Sequence, residues 1–377
     1  MMMTKSLKSI NERISRGEAV VLTAGEMTEF VREKGPVAAA RNVDVVTTAT
    51  FGAMCSSGLL LNTGHTSPRI NFREAFLNGV PAYAGIAAVD LFLGATARGE
   101  RENYGGAHVI QDLLEGRKVR LTGKGHGTHC YPRREIDCLV GLSELPGAEL
   151  FNFRNAYQNY NVAVNSTERP VRTYLGKLLP RMGNAGFSSA GEYSPLLNDP
   201  YFRTIGVGTR IFLGGGTGFI TGSGTQHDPS PPRSPRGVPL CGAGTLSVRG
   251  NLKDMNSRWL RAVSLPGYGV SLMVGIGVAI PVIDEEMAMF TGISDADILS
   301  PVVDYGVSYP ENDPEILGMV SCSELLSGSF PLLGRNIPAF NLSSRDGAVE
   351  IAQILRQWIL RGSFVPTLPG ETIPAAG

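Results

Sequence analysis

Cys55 lies between Gly52 and Gly58 in the run TFGAMCSSGLLLNTGHTSPR, residues 50–69, with Ser56 and Ser57 beside it and Thr63, His65, Thr66, Ser67 and Arg69 close behind. A thiol becomes a nucleophile when unpaired amides, a cation or a histidine stabilises its thiolate. Every group of that kind is local to this run. A free cysteine among small residues also packs as a small hydrophobe, and the residues alone leave both readings open.

A second run, GKGHGTHCYPRRE at 123–135, puts His126, His129 and Cys130 within five positions, flanked by Lys124, Arg133 and Arg134. Positive neighbours favour a thiolate, so Cys130 reads as a second nucleophile or a resolving partner for Cys55, with His126 and His129 as proton donors. The competing reading is a zinc or iron site on His126, His129, Cys130 and Cys138, serving a metal-dependent lyase or hydrolase with His227. HxxHC is not a recurrent ligand spacing, and Cys138 falls in the strand-like EIDCLVG, so no metal is assigned.

Glycine is the compositional oddity, 47 of 377 residues, well above the usual ~7%. It gathers beside histidine, threonine and cysteine, which suggests sites lined by main chain. The stretch Gly206–Gly224 resembles phosphate-binding loops but has no GK[ST] ending; tight turns between close-packed strands explain it as well. Gln226 and His227 close that stretch and, with His65, Thr66 and Arg69, are the candidates for holding a substrate. Arg203 and Arg210 could also clamp a carboxylate, and Cys241 and Cys322, among apolar or small neighbours, read as packing residues.

The elements that must position these groups alternate. LKSINERISRG at 7–17 reads as a surface helix, Glu18–Leu22 as a short strand, and Thr23 as the cap of a helix stopped by Gly35, with Pro36 opening another. VDVVTTATF at 43–51 is a β-branched strand leading into the Cys55 loop; HVIQDLLEG and RKVRLTG form a helix and strand leading into the Cys130 loop. Both cysteines thus follow strands, the usual place for ligands in open α/β sheets, and a single shared site is expected. Further strands are expected near Thr245–Arg249, Val270–Ile283 and Ile316–Val320, a helix at Asp284–Phe290, and a closing helix capped by Ser343 or Ser344. The fold class is α/β with a mixed, glycine-rich sheet and α+β character in the second half. DPSPPRSPRGVP at 228–239 is an exposed loop or boundary between residues 1–227, which carry the cysteines, and 240–377, part of the same compact unit.

Lys+Arg and Asp+Glu are 34 each, so no electrostatic footprint for nucleic acid or an anionic membrane exists. The N-terminal stretch lacks a signal-peptide core, and the longest apolar run, Val270–Ile283, is broken by Gly275 and Gly277. Five cysteines at irregular spacing point to a reducing, cytoplasmic setting.

The segments TFGAMCSSG with NTGHTSPR, GKGHGTHCYPRRE and FLGGGTGFITGSGTQH together resemble the homocysteine biosynthesis family, the L-aspartate semialdehyde sulfurtransferases of anaerobic archaea and bacteria, from about Leu7 to Phe364. The resemblance implies that reduced sulfur is placed on aspartate semialdehyde to give homocysteine, with Cys55 and Cys130 as the two implicated thiols, Cys55 carrying sulfur as a persulfide. It also implies an external electron donor, a ferredoxin-like partner protein, and no tightly bound cofactor. Many family members carry C-terminal CBS modules; none is seen here, nor a CxxCxxC run, so control by adenosine ligands is not expected. A non-enzymatic sulfur carrier is the remaining alternative.

Overall fold

The computed structural model describes residues 4–307 and 315–374. Its first elements follow from local chemistry. Thr23 and Glu26 form a capping box at the start of Ala24–Asn42, satisfying amides that have no partner inside a helix. Gly35, with φ 78°, kinks that helix just before Pro36, where a left-handed residue costs glycine little. The strand Val45–Ala53 is buried along nearly its whole length, as a β-branched run without alternation should be.

That strand pairs in parallel with Val21–Thr23 and antiparallel with Gly269–Pro281. Strands before and after residues 228–239 therefore share one sheet, and Gly216–Ser223 likewise pairs with Leu246–Asn251. In hydrogen-bonding order the large sheet continues from Gly269–Pro281 through Arg210–Leu213, Gly216–Ser223, Leu246–Asn251 and Gly147–Asn155 to Ser57–Asn62. Beyond it come Asp90–Gly94, Val80–Ala87, Phe72–Leu77, Val119–Gly125 and Glu135–Val140. Five strands thus separate Val45–Ala53 from Ser57–Asn62, yet only Met54, Cys55 and Ser56 connect them. A chain advances at most ~3.6 Å per residue, so the sheet has to curl back on itself at Cys55.

A second, six-stranded mixed sheet runs Ile316–Ser321, Leu299–Asp304, Val162–Val164, Ala185–Phe187, Arg335–Asn341, Ser329–Leu332. The closing helix, Arg345–Leu360, is capped by Ser344 and buries Ile351, Leu355 and Ile359, each worth ~1.5–3 kcal/mol relative to exposure. It lies on Gly275 and Gly277, where an added Cβ would stand 2.8 and 3.0 Å from Ile351. The two glycines that interrupt the longest apolar run are thus the seat of this helix. Among the described residues no helix is long and apolar enough to cross a membrane. The mixed α/β class holds. The first short strand lies at Val21–Thr23 rather than Glu18–Leu22, because Val20 donates its amide to Asp44 outside the ladder.

Candidate active site

Cys55 sits half-buried in the turn that closes the curl. Ser57 Oγ donates to Met54 O at 2.7 Å, and the Met54 amide is held by Leu272 O. Among the described residues the amides of Cys55 and Ser56 find no protein acceptor. The turn thus leaves two adjacent amides without a protein partner.

The fully buried Asn152 ties this turn to its neighbour. Its Nδ2 donates to Ser57 Oγ at 2.7 Å, and its Oδ1 accepts from the Arg154 amide at 3.0 Å. Phe153 N also donates to Ser56 O, and Thr225 N to Phe153 O. Three segments distant in sequence are thereby fixed around one thiol.

Cys55 opens into a cavity of about 600 Å³ between the two sheets, within the ~300–1,000 Å³ of small-molecule sites. Its wall is made by the Cys55 turn, Arg154–Tyr160, Tyr174, Ser188–Ala190, Ser194, Gln226, Tyr268, Asp304–Val307 and Ser343, among others. Five tyrosines stand in it. Tyr157 donates to Gln226 Oε1 at 3.1 Å, and the hydroxyls of Tyr160, Tyr174 and Tyr305 form a chain with spacings of 2.5 and 2.6 Å. Burial pushes Tyr160 up to about 12 and raises Tyr174 further. Burial also raises Tyr157 and Tyr268; a charge on the Cys55 sulfur adds to both, and Arg154 works against it. Thiol, guanidinium and two phenols therefore share one electrostatic neighbourhood.

Of the residues singled out from sequence, Cys55 and Gln226 line this cavity. Gln226 takes a positive φ of 60° at the end of its glycine-rich stretch. The others are elsewhere. Arg133 donates its amide to Arg69 O and its Nη2 to Ser67 O; Thr66 donates to Pro68 O, and the His65 and Tyr131 rings are 6.1 Å apart. The two motif loops thus do meet, but at the opposite end of the Ser57–Asn62 strand, away from Cys55. Cys130, His126, His129, His65 and Arg69 are all exposed there. His126 borders a shallow hollow with Asn71, Phe72 and Arg73.

His227 stands apart from both, its ring nitrogens against Thr245 and Pro374 O and its face against Phe202. Among the described residues no three His, Cys, Asp or Glu side chains converge as metal ligands. Arg203 is engaged by Asp284 and Glu286, and the Arg210 guanidinium lies over the Phe364 ring. Burial pushes the Cys322 thiol up to about 12 and raises that of Cys241, as suits packing residues.

Sequence reading missed Arg154, Asp304 and the five tyrosines. They come from four chain segments with no shared motif. The available signal was the run RNAYQNY at 154–160, polar and aromatic at the end of a strand.

A family model described as "Homocysteine biosynthesis enzyme, sulfur-incorporation" matches residues 19–365. The chain is 46% identical over 378 residues to a Methanosarcina acetivorans protein named L-aspartate semialdehyde sulfurtransferase, covering all of this chain and 73% of that protein. A protein of the same name from Methanocaldococcus jannaschii is 44% identical over 392 residues, covering all of this chain and 74% of that one. An uncharacterized Methanothermobacter thermautotrophicus protein is 31% identical over 80% of this chain and 68% of its own length. No solved structure matches.

Proposed function

The chain belongs to the homocysteine biosynthesis, sulfur-incorporation enzyme family, and on that premise we propose that it is an L-aspartate semialdehyde sulfurtransferase working through Cys55 in the cytoplasm. The observation that carries this reading is the placement of Cys55 in a turn with free amides, opening into the cavity between the sheets.

A sulfane donor of the persulfide or polysulfide class passes its outer sulfur to the Cys55 thiolate and leaves one sulfur shorter, and the terminal sulfur of the resulting Cys55 persulfide attacks the aldehyde carbon. The carbonyl oxygen takes up a proton, leaving a hydroxy disulfide that joins Cys55 to the substrate. Tyr268, a raised phenol in the Cys55 neighbourhood whose hydroxyl has no partner among the described residues, donates to that oxygen as charge develops. An electron pair from an external reductant then cleaves the S–S bond, returning the Cys55 thiolate and an α-hydroxythiol. Loss of water gives a thioaldehyde, and a second electron pair with two protons gives homocysteine. The reductant is a ferredoxin-like partner protein. Cys130, at the far end of the strand, does not resolve the adduct on Cys55; its exposed, cationic loop suits exchange with that partner.

Cys55→Ala is the test. With polysulfide as the sulfur source and dithiothreitol as the reductant, homocysteine formation from aspartate semialdehyde should be lost in the purified variant, and survival of the activity would sink the proposal.

A further inference from the structure

Among the described residues that line the Cys55 cavity, Arg154 is the only cation and Asp304 the only carboxylate. Among the described residues no ion pair involves either one, and the Arg154 guanidinium only overlies the Tyr157 ring at 5.9 Å. Asp304 is 4% exposed and accepts just two amides, from Ser166 at 3.1 Å and Gly306 at 2.8 Å. A buried carboxylate without a cation carries a heavy desolvation penalty. A cationic group of a ligand in the cavity would supply the charge that Asp304 lacks.

Arg154 is also held in place. The same buried Asn152 that braces the Cys55 turn through Ser57 anchors the Arg154 amide, so the backbone that carries this guanidinium keeps a fixed relation to the Cys55 turn. A guanidinium matches a carboxylate with two parallel hydrogen bonds. A ligand suited to both groups carries a carboxylate and an ammonium, with its reacting end turned toward Cys55.

We infer that Arg154 and Asp304 are the specificity pair of this cavity, Arg154 receiving the α-carboxylate and Asp304 the α-ammonium of an amino-acid substrate. The assignment of the aldehyde as the reacting end rests on the function proposed above; the zwitterion pocket itself does not. The experiment therefore uses unreactive alcohols and reads binding alone. L-homoserine keeps both charges, 4-hydroxybutanoate lacks the amine, and 3-amino-1-propanol lacks the carboxylate.

In calorimetric titrations, Arg154→Ala should weaken L-homoserine and 4-hydroxybutanoate by about a hundredfold, the cost of an unpaired polar group, and leave 3-amino-1-propanol unchanged. Arg154→Lys keeps the charge but loses the fork and should weaken the same two by about tenfold. Asp304→Asn, which still accepts the Ser166 and Gly306 amides, should weaken L-homoserine and 3-amino-1-propanol and spare 4-hydroxybutanoate. Equal effects on all three alcohols, or none on L-homoserine, would overturn the pair. An active Cys55→Ala enzyme would overturn the catalytic reading and leave this pattern standing.

Discussion

The two motif cysteines should act independently within one chain. Cys55 precedes the Ser57–Asn62 strand, and Cys130 lies in the loop that meets the segment following it. That strand has six residues, which at ~3.4 Å each separates its ends by ~17–20 Å. A disulfide needs Cα atoms within ~7 Å, so bridging them would require dismantling the ladders that Ser57–Asn62 forms with Gly147–Asn155 and Asp90–Gly94. The perturbation is Cys130→Ser, assayed beside Cys55→Ser for homocysteine formation with dithiothreitol as the reductant, which bypasses any protein donor. Sites this far apart couple by no more than ~0.5 kcal/mol, about twofold in rate. Cys130→Ser should stay within that limit, whereas Cys55→Ser should lose ~10³-fold or more. Peptide mapping of the diamide-oxidised native protein should show no Cys55–Cys130 bridge within a chain. Equal losses in the two variants, or that bridge in good yield, would refute the separation of roles.

Tyr268→Phe removes the unpaired phenol near Cys55 and should lower kcat about ten- to a hundredfold with little change in KM; an unchanged kcat removes Tyr268 from the chemistry. Gly58 and Gly94 face each other across the ladder, but a Cβ on Gly58 would stand 2.2 Å from Phe92 and one on Gly94 would meet nothing within 4 Å. Gly58→Ala should therefore cost ~1–3 kcal/mol in urea unfolding and Gly94→Ala far less, and equal losses would contradict this packing. The Arg203 guanidinium holds Asp284 below the usual carboxylate range, helped by the Met287 amide. That stability is full above the unfolded-state pKa of ~3.9 and disappears as pH falls through the lower folded value, so Asp284→Asn should flatten the fall of Tm below about pH 4. Parallel curves for variant and parent would exclude the contribution.

How far the fold could be read from the residues depends on whether the signal is local. The helix at Leu7–Ser15, the Thr23 capping box, the strand at Val45–Ala53 and the Ser344-capped closing helix all follow from contacts within a few residues. The hairpins between Ser57 and Gly94 were not read. One of them turns on Asn78-Gly79, with φ values of 51° and 79°, a pair strongly favoured at two-residue hairpins. Its flanks, Phe72–Leu77 and Val80–Ala87, alternate only partly, because Ala82, Ala84 and Ala87 carry little hydrophobic signal. The site divides in the same way. Cys55 and its free amides are legible because they occupy one turn, whereas Arg154, Tyr174, Tyr268 and Asp304 meet only through the curl of the large sheet against the smaller one. Residues near Cys130 looked equally chemical, since sequence spacing cannot tell which end of a strand a loop occupies.

Cavity size and thiol separation bear on the same question. Aspartate semialdehyde has about eight non-hydrogen atoms, each taking less room than a water's ~30 Å³, so it fills under ~240 Å³. The cavity holds about 600 Å³. The rest of the wall includes Tyr160, Tyr174 and Tyr305 and the serines at 188, 189 and 194. Among the described residues no second cysteine lines that space. On the persulfide route proposed above, the electron pairs that turn the adduct into a thiol therefore enter from outside, beside the bound substrate. A pocket fitted closely to the amino acid would exclude them, and one open enough to admit them needs fixed charges to hold so small a substrate in place.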